Sequence, residues 1–100
     1  MNPKFERDGS TLTVRPAGPL DSMTSPLFEK ELRQNLPGAQ HVVVDFSEVN
    51  YISSAGLRVF LAVEQYLGKQ GAEMKLIHVS ESVMEIFDLV GFLDVVTVEP

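Results

Sequence analysis

The chain has 100 residues, 44% hydrophobic and 22% charged, which is the composition of one globular domain and not of a disordered segment. Fourteen acidic residues against eight lysines and arginines give a formal net charge of -6, which argues against binding to nucleic acid or to an anionic membrane. There is no cysteine, so disulfides and thiolate metal sites are excluded, and no apolar run reaches the ~18–20 residues that span a bilayer. The sequence therefore predicts a single cytoplasmic domain over residues 1–100, with no direct membrane insertion.

Strand and helix patterns alternate along the chain after an opening β-hairpin. Asp8-Gly9-Ser10 is a turn signal between two extended segments, the second of which alternates polar and apolar residues. The segment 41–46 is β-branched and almost entirely apolar, which is typical of a strand covered on both faces. In chain order, the predicted elements are strands at 4–8 and 11–16, a helix from Thr24 or Ser25 to 36, a strand at 41–46, a helix at 54–69, a strand at 73–79, a helix from Ser80 or Ser82 to 90 and a strand at 95–98.

This order of elements indicates the fold class. Helices between consecutive strands are the crossover connections of a parallel sheet, whereas the opening hairpin makes one pair antiparallel. We therefore expect an α/β domain with a mixed sheet of about five strands and three or four helices.

Two serines lie at the start of the second predicted helix, directly after a polar loop. Loops beyond the carboxyl ends of strands are where α/β sheets place their binding sites. Ser54 is well suited to be the N-cap, and the unpaired N–H groups and positive dipole end there favour an anion. A phosphoryl group on Ser54 would add a charge of about -1.5 to -2 and change the partner surface, although most serines at helix starts only cap. Gly56 marks either a close approach of helix and sheet or an opening through which a partner's active site reaches Ser54.

The segment from Asp45 to Leu57, Asp-Phe-Ser-Glu-Val-Asn-Tyr-Ile-Ser-Ser-Ala-Gly-Leu, resembles the central motif of STAS domains, specifically that of bacterial anti-sigma factor antagonists. Gly18-Pro19-Leu20-Asp21 is similar to their Gly-x-Leu-Asp motif, and segments 71–76 and 87–92 match later landmarks in order and spacing. The resemblance extends over essentially the whole chain.

The resemblance implies a single STAS domain that acts as a phosphorylation-switched protein-binding regulator and not as an enzyme. Its expected partner is an anti-sigma factor with a histidine-kinase-like ATPase fold, which is also the serine kinase. The unphosphorylated form would bind this kinase and release the regulator that the kinase sequesters, and a serine phosphatase would reverse the modification. No nucleotide-binding motif is present, so ATP comes with the kinase and no cofactor is expected here. We expect a monomer.

The family motif implies which residues form the site. The phosphorylated serine of the family lies two residues before the motif glycine, which is Ser54 here. Ser53 replaces the family's acidic residue and Ala55 replaces a hydroxyl residue, so Ser53 remains an alternative acceptor. The expected partner-binding residues are Asp21, Ser53, Ser54, Ala55, Gly56, Arg58 and Leu61. Leu61 belongs to this set because helical periodicity places it beside the polar face of the second helix, where it could anchor a partner.

Other kinds of site have weaker support. A serine hydrolase is disfavoured because there is no Gly-x-Ser-x-Gly motif, and His41 and His78 lie at strand ends. Asp21 and Asp45 lack the further ligands that a metal site needs, and Asp21 is equally explained as a turn or capping residue. The third helix is acidic and would attract a basic partner. The alternative function is a STAS regulatory subunit of a membrane transporter.

Overall fold

The sheet at the centre of the fold has five strands in the order β1-β2-β3-β4-β5. The computed structural model describes residues 2–100, so Met1 of the predicted domain lies outside the described residues. The strands are β1 (Lys4–Asp8), β2 (Thr11–Arg15), β3 (His41–Asp45), β4 (Glu73–Ile77) and β5 (Thr97–Val98), and the helices are α1 (Ser25–Asn35), α2 (Ser54–Lys69) and α3 (Glu81–Leu89), with a 3₁₀ helix at Phe92–Asp94. β1 pairs antiparallel with β2, and every later pair of neighbours is parallel. The predicted α/β class with a mixed sheet is confirmed.

Only one face of the sheet is covered. Successive strands contribute alternate residues to the buried core, which are Leu12, Val14, Val42, Val44, Met74 and Leu76. Val43, between two of these residues on β3, is only half-buried, and Lys75 beside it on β4 is exposed. The prediction that the 41–46 strand is covered on both faces is therefore wrong. The reason is topological: right-handed crossovers between strands in consecutive order place successive helices on the same face.

Several predicted boundaries differ from the observed ones, most of them by one residue and most clearly in the last quarter of the chain. β4 ends at Ile77 and not at residue 79, because His78 adopts a left-handed conformation with φ 56°. α3 begins at Glu81, with Ser80 as its N-cap. The final strand is shorter than predicted, since a 3₁₀ helix at Phe92–Asp94 takes up part of the segment before it. Val95 is consequently on the surface.

A row of aromatic rings links the helices to the loop that follows β3. The ring of Phe60 on α2 lies 5.9 Å from that of Phe28 on α1 and 5.5 Å from that of Phe46, measured between centroids. Phe46 also contacts Phe87 on α3, with their centroids 6.0 Å apart. Because these four side chains are at most 1% exposed, the start of the β3–α2 loop is held firmly in the core.

Candidate functional site

Two loops run side by side at the carboxyl edge of the parallel strands. The loop after β2 donates from Gly18 N–H to the Glu48 carbonyl at 2.9 Å and from Leu20 N–H to the Tyr51 carbonyl at 3.0 Å. In return, Ser53 N–H donates to the Leu20 carbonyl at 2.8 Å. These backbone bonds bring the predicted Gly18–Asp21 motif next to the two serines, although the two segments are more than thirty positions apart in sequence.

Gly56 is buried in the first turn of α2, where the helix meets the loop after β2. A Cβ atom at this position would lie 2.7 Å from Ile52 Cγ1 and 2.9 Å from the Leu20 carbonyl oxygen. The close approach expected for Gly56 is therefore present, with the Leu20 loop as the neighbour. This side of the glycine faces the interior. The lack of a side chain therefore allows α2 to pack closely against the loop after β2, and it does not open the surface near Ser54.

The N-cap of α2 is Ser53 and not Ser54, so the predicted cap was one residue too late. Ser53 has an extended backbone (φ -100°, ψ 178°), but its side chain makes no capping hydrogen bond, and its Oγ is buried without a hydrogen-bond partner among residues 2–100. The first intrahelical bond is donated by Leu57 N–H to the Ser53 carbonyl at 3.0 Å. The N–H groups of the residues between them, 54–56, precede that bond and receive no cap from the Ser53 side chain.

Ser54 is the first residue of α2, and it is exposed. Its hydroxyl therefore faces solvent at a helix N-terminus with uncapped N–H groups. This differs from α3, where the Ser80 hydroxyl accepts a hydrogen bond from Val83 N–H at 3.3 Å. Of the two adjacent serines, Ser54 is exposed, whereas the hydroxyl of Ser53 is buried.

Asp21 organises the turn that precedes α1. Its Oδ1 accepts hydrogen bonds from Met23 N–H at 2.9 Å and Thr24 N–H at 3.0 Å. The Thr24 and Met23 N–H groups hold the pKa of Asp21 below its usual value, so this carboxylate is ionised at neutral pH. The expectation that Asp21 is a turn or capping residue is confirmed, and a contact with a partner remains a prediction.

An apolar groove lies beside Ser54. It has a volume of about 310 Å³ and is lined by Ser54, Leu57, Arg58, Leu61, Val90, Gly91, Phe92 and Val95. Leu61 is half-buried and packs against the core, so it is less exposed than helical periodicity suggested. Val90 and Val95 are 56% and 55% exposed, and with them the apolar surface continues beyond α2.

The contribution of Val90 to this groove does not follow from helical periodicity. Val90 lies seven residues after Val83 and three after Phe87, a spacing that predicts a buried stripe on the third helix. The helix ends at Leu89, however, and Gly91 turns the chain with φ 74°, which directs the following residues into the 3₁₀ helix. The sequence does contain a signal for this helix end: Gly91 directly follows Val90, and a glycine directly after a periodic apolar position marks the end of a helix.

Asp45 lies at the end of β3 and is 5% exposed. Its carboxylate accepts from Arg15 Nε at 3.1 Å and Ser47 N–H at 2.9 Å, and His78 Nδ1 lies 3.1 Å from its Oδ1. Burial raises the pKa of Asp45, but the hydrogen bonds from Ser47, His78 and Arg15 outweigh this and lower it to about 2. All these contacts are structural, and no cluster of three or more potential metal ligands occurs within residues 2–100.

Neither histidine is joined to Ser54. His41 Nδ1 lies 2.8 Å from Glu73 Oε1 at the opposite edge of the sheet, and His78 pairs with Asp45. Within the described residues, no hydrogen bond of the kind that activates a serine nucleophile involves Ser54.

None of the helices in residues 2–100 combines the length and the apolar composition needed to cross a bilayer.

Comparison with curated proteins gives relatives over nearly the full chain. The chain is 32% identical to an anti-sigma-B factor antagonist of Staphylococcus epidermidis, over 85% of this chain and 80% of the relative. It is 26% identical to the anti-sigma-B factor antagonist of Bacillus subtilis, over 98% of this chain and 90% of the relative.

Solved structures share the fold at lower identity. An anti-sigma factor antagonist from Mycobacterium paratuberculosis superposes with a TM-score of 0.87 at 21% identity, covering 99% of this chain and 85% of that one. The Bacillus cell fate determinant SpoIIAA in its phosphorylated form superposes with a TM-score of 0.75 at 15% identity, covering 97% of this chain and 90% of that one. A sulfate transporter family protein from Wolinella succinogenes superposes with a TM-score of 0.79 at 15% identity, covering 90% of this chain and 76% of that one.

The family itself is shown by a match that covers every described residue. Residues 2–100 match the family model of the STAS domain. Together with the paired loops and the serine at the start of α2, this match shows that the chain belongs to the STAS domain family.

Proposed function

We propose that this protein is a phosphorylation-switched anti-sigma factor antagonist with Ser54 as the phosphoryl acceptor. In its unphosphorylated form it binds an anti-sigma factor that is also a serine kinase, and thereby releases the regulator that this partner sequesters. The observation that supports this most directly is the exposed Ser54 hydroxyl at an uncapped helix start beside an apolar groove. The names of the curated relatives support the same partner class.

The helix start offers hydrogen-bond donors to a phosphoryl group on Ser54. Because the Ser53 side chain does not cap α2, the first-turn N–H groups are available to phosphate oxygens. The helix dipole adds a stabilisation of about 0.3–1 kcal/mol for an anion at this position. The modification would add a charge of about -1.5 to -2 at the edge of the groove, and an apolar contact that binds well without that charge would bind poorly with it.

The two enzymatic activities of the switch, phosphorylation and dephosphorylation, belong to the partners. The kinase, with a histidine-kinase-like ATPase fold, brings the ATP, and a serine phosphatase removes the phosphoryl group. The regulator acts as a monomer in the cytoplasm, without a cofactor and without a reaction of its own. Both sheet edges fit a monomer, since β1 has the charged sequence Lys-Phe-Glu-Arg-Asp and β5 has only two residues.

The test of this function is phosphorylation by the anti-sigma factor kinase that co-purifies with the unmodified protein, with Mg-ATP. We expect mass spectrometry to find one phosphate on Ser54 in the wild type, none in Ser54→Ala and one in Ser53→Ala. Ser53→Ala is a matched control, because the hydroxyl it removes has no hydrogen-bond partner among residues 2–100. A phosphate on Ser53, or binding to the kinase that persists after phosphorylation, would refute the proposal.

The alternative is a STAS regulatory subunit of a membrane transporter. It is supported by the shared fold of the sulfate transporter family protein, although at 15% identity this likeness shows the fold alone. Co-purification separates the two functions, since the unmodified protein should retain a kinase in the first case and a transporter complex in the second.

A further inference from the structure

Arg58 lies one helical turn after Ser54 on α2, and both residues line the apolar groove. Residues four apart on a helix are neighbours, with Cβ atoms about 5–6 Å apart. Arg58 is exposed and is the one charged residue among those that line the groove.

Within the part of the chain that the structure describes, the guanidinium of Arg58 has no ionic partner. Across residues 2–100, no Asp or Glu side chain forms a salt bridge with Arg58, and no hydrogen bond of its side chain is found. The other three arginines are all engaged: Arg7 with the Asn35 and Pro37 carbonyls, Arg15 with Asp45, and Arg33 with Glu29. Arg58 is thus the arginine that is free to bind an incoming anion.

We propose that Arg58 binds the phosphoryl group on Ser54 within the same helix. Once paired in this way, Arg58, the one charged residue lining the groove, is no longer available to a partner. This inference rests on the proposed phosphorylation of Ser54. A guanidinium matches phosphate oxygens with two parallel hydrogen bonds, which lysine cannot reproduce. An anion one turn before a cation is also the favourable order relative to the helix dipole.

Phosphorylation then has two effects on the same surface. It adds negative charge at Ser54, and it fixes the arginine that a partner would otherwise contact. The second effect is pronounced here because the segment after Lys75 has no lysine or arginine, so no other cation from α3 or the 3₁₀ helix can replace Arg58.

The test places phosphoserine at position 54 by genetically encoded incorporation, so that it does not depend on any kinase. Phosphorus NMR then follows the titration of the phosphate in the otherwise unchanged protein and in Arg58→Gln, Arg58→Lys and Lys69→Gln. We expect Arg58→Gln to raise the second phosphate pKa by about 0.3–1 unit, because it loses a neighbouring positive charge. Arg58→Lys should retain part of the effect. Lys69→Gln is the matched control on the same helix, and it should titrate like the parent.

A second readout reports on the arginine itself. In ¹⁵N–¹H spectra, the Nε–Hε signal of Arg58 should shift on phosphorylation, while those of Arg15 and Arg33 stay in place. An unchanged Arg58 signal, or an Arg58→Gln titration identical to the parent, would overturn the pairing. Either result leaves the proposed function standing, whereas failure of the kinase to modify Ser54 would remove that function and leave the pairing intact.

Discussion

At the scale of single residues, Asp45 is a buried carboxylate whose partners come from separate segments of the chain. Arg15 belongs to β2, Ser47 to the loop after β3, and His78 to the turn after β4. One side chain therefore fixes the positions of three strand ends at the edge where the site lies. Such a charge is well compensated in the folded state and has no equivalent partners in the unfolded chain.

Asp45→Asn should test this role, because it keeps the shape and removes the charge. The pKa of Asp45 is lowered from 3.8 to about 2, so its contribution to stability is present above about pH 4 and is lost as the pH falls through 2. We expect urea unfolding at pH 7 to show a loss of about 2 kcal/mol, and the difference from wild type to shrink between pH 4 and pH 2. Glu29→Gln, which breaks an exposed pair with Arg33, should cost no more than about 0.5 kcal/mol. Equal losses at pH 7 and pH 2 would contradict the assignment.

At the scale of one element, α2 has two glycines in opposite surroundings. Gly56 has no room for a methyl group, because Ile52 Cγ1 and the Leu20 carbonyl would lie within 3 Å of it. Gly68, three turns later, is exposed, and a Cβ atom there would have nothing within 4 Å of it. The helix therefore needs a glycine at one of these positions and merely tolerates it at the other.

The matched pair Gly56→Ala and Gly68→Ala should change stability in opposite directions. Gly68→Ala is expected to stabilise by up to about 1 kcal/mol through helix propensity. Gly56→Ala gains the same propensity but forces the helix and the Leu20 loop apart, for a net loss of about 1–3 kcal/mol. Thermal and urea unfolding measure both changes. If Gly56→Ala were as stable as the wild type, the two loops would not be joined as described.

At the scale of the whole molecule, the accessible serine, the free arginine and the exposed apolar residues of the groove lie together. Val90 and Val95 come from the end of α3 and the segment after it, whereas Ser54, Arg58 and Leu61 belong to α2. Exposed apolar surface of this kind typically marks a binding site for another protein. Over the whole chain, acidic residues outnumber lysines and arginines by fourteen to eight, which gives a net charge of -6.

Val90→Asp should weaken binding of the unphosphorylated protein to the anti-sigma factor kinase by tenfold or more. An introduced carboxylate would be desolvated in the interface, and tenfold corresponds to about 1.4 kcal/mol. Leu27→Asp on α1 is the control, since Leu27 is 57% exposed, against 56% for Val90, and lies outside the groove. Calorimetric titration should show at most a twofold change for this control. If both variants bound alike, the groove would not be the partner surface.

The alternation of elements, the opening hairpin and the α/β class follow from the sequence alone. Turn residues and hydrophobic periodicity are local properties. The turn at Asp8-Gly9-Ser10 and the apolar stripe of α2 can therefore be predicted without knowing what packs against them. The two serines could likewise be assigned to a helix start from the residues around them. Which of the two caps the helix was beyond this kind of pattern, since it depends on the Leu20 carbonyl that binds Ser53 N–H.

Tertiary structure decided which faces are covered and which segments meet. The exposed face of the sheet results from crossovers of one hand between strands in consecutive order, and no pattern within the 41–46 segment contains that information. The groove exists because Gly91 ends α3 beside α2, so that Val90, at a helical spacing typical of a buried stripe, and Val95, at the start of the predicted last strand, both lie on the surface. Contacts between distant segments set burial, and burial decides whether an apolar residue supports the core or is available to a partner.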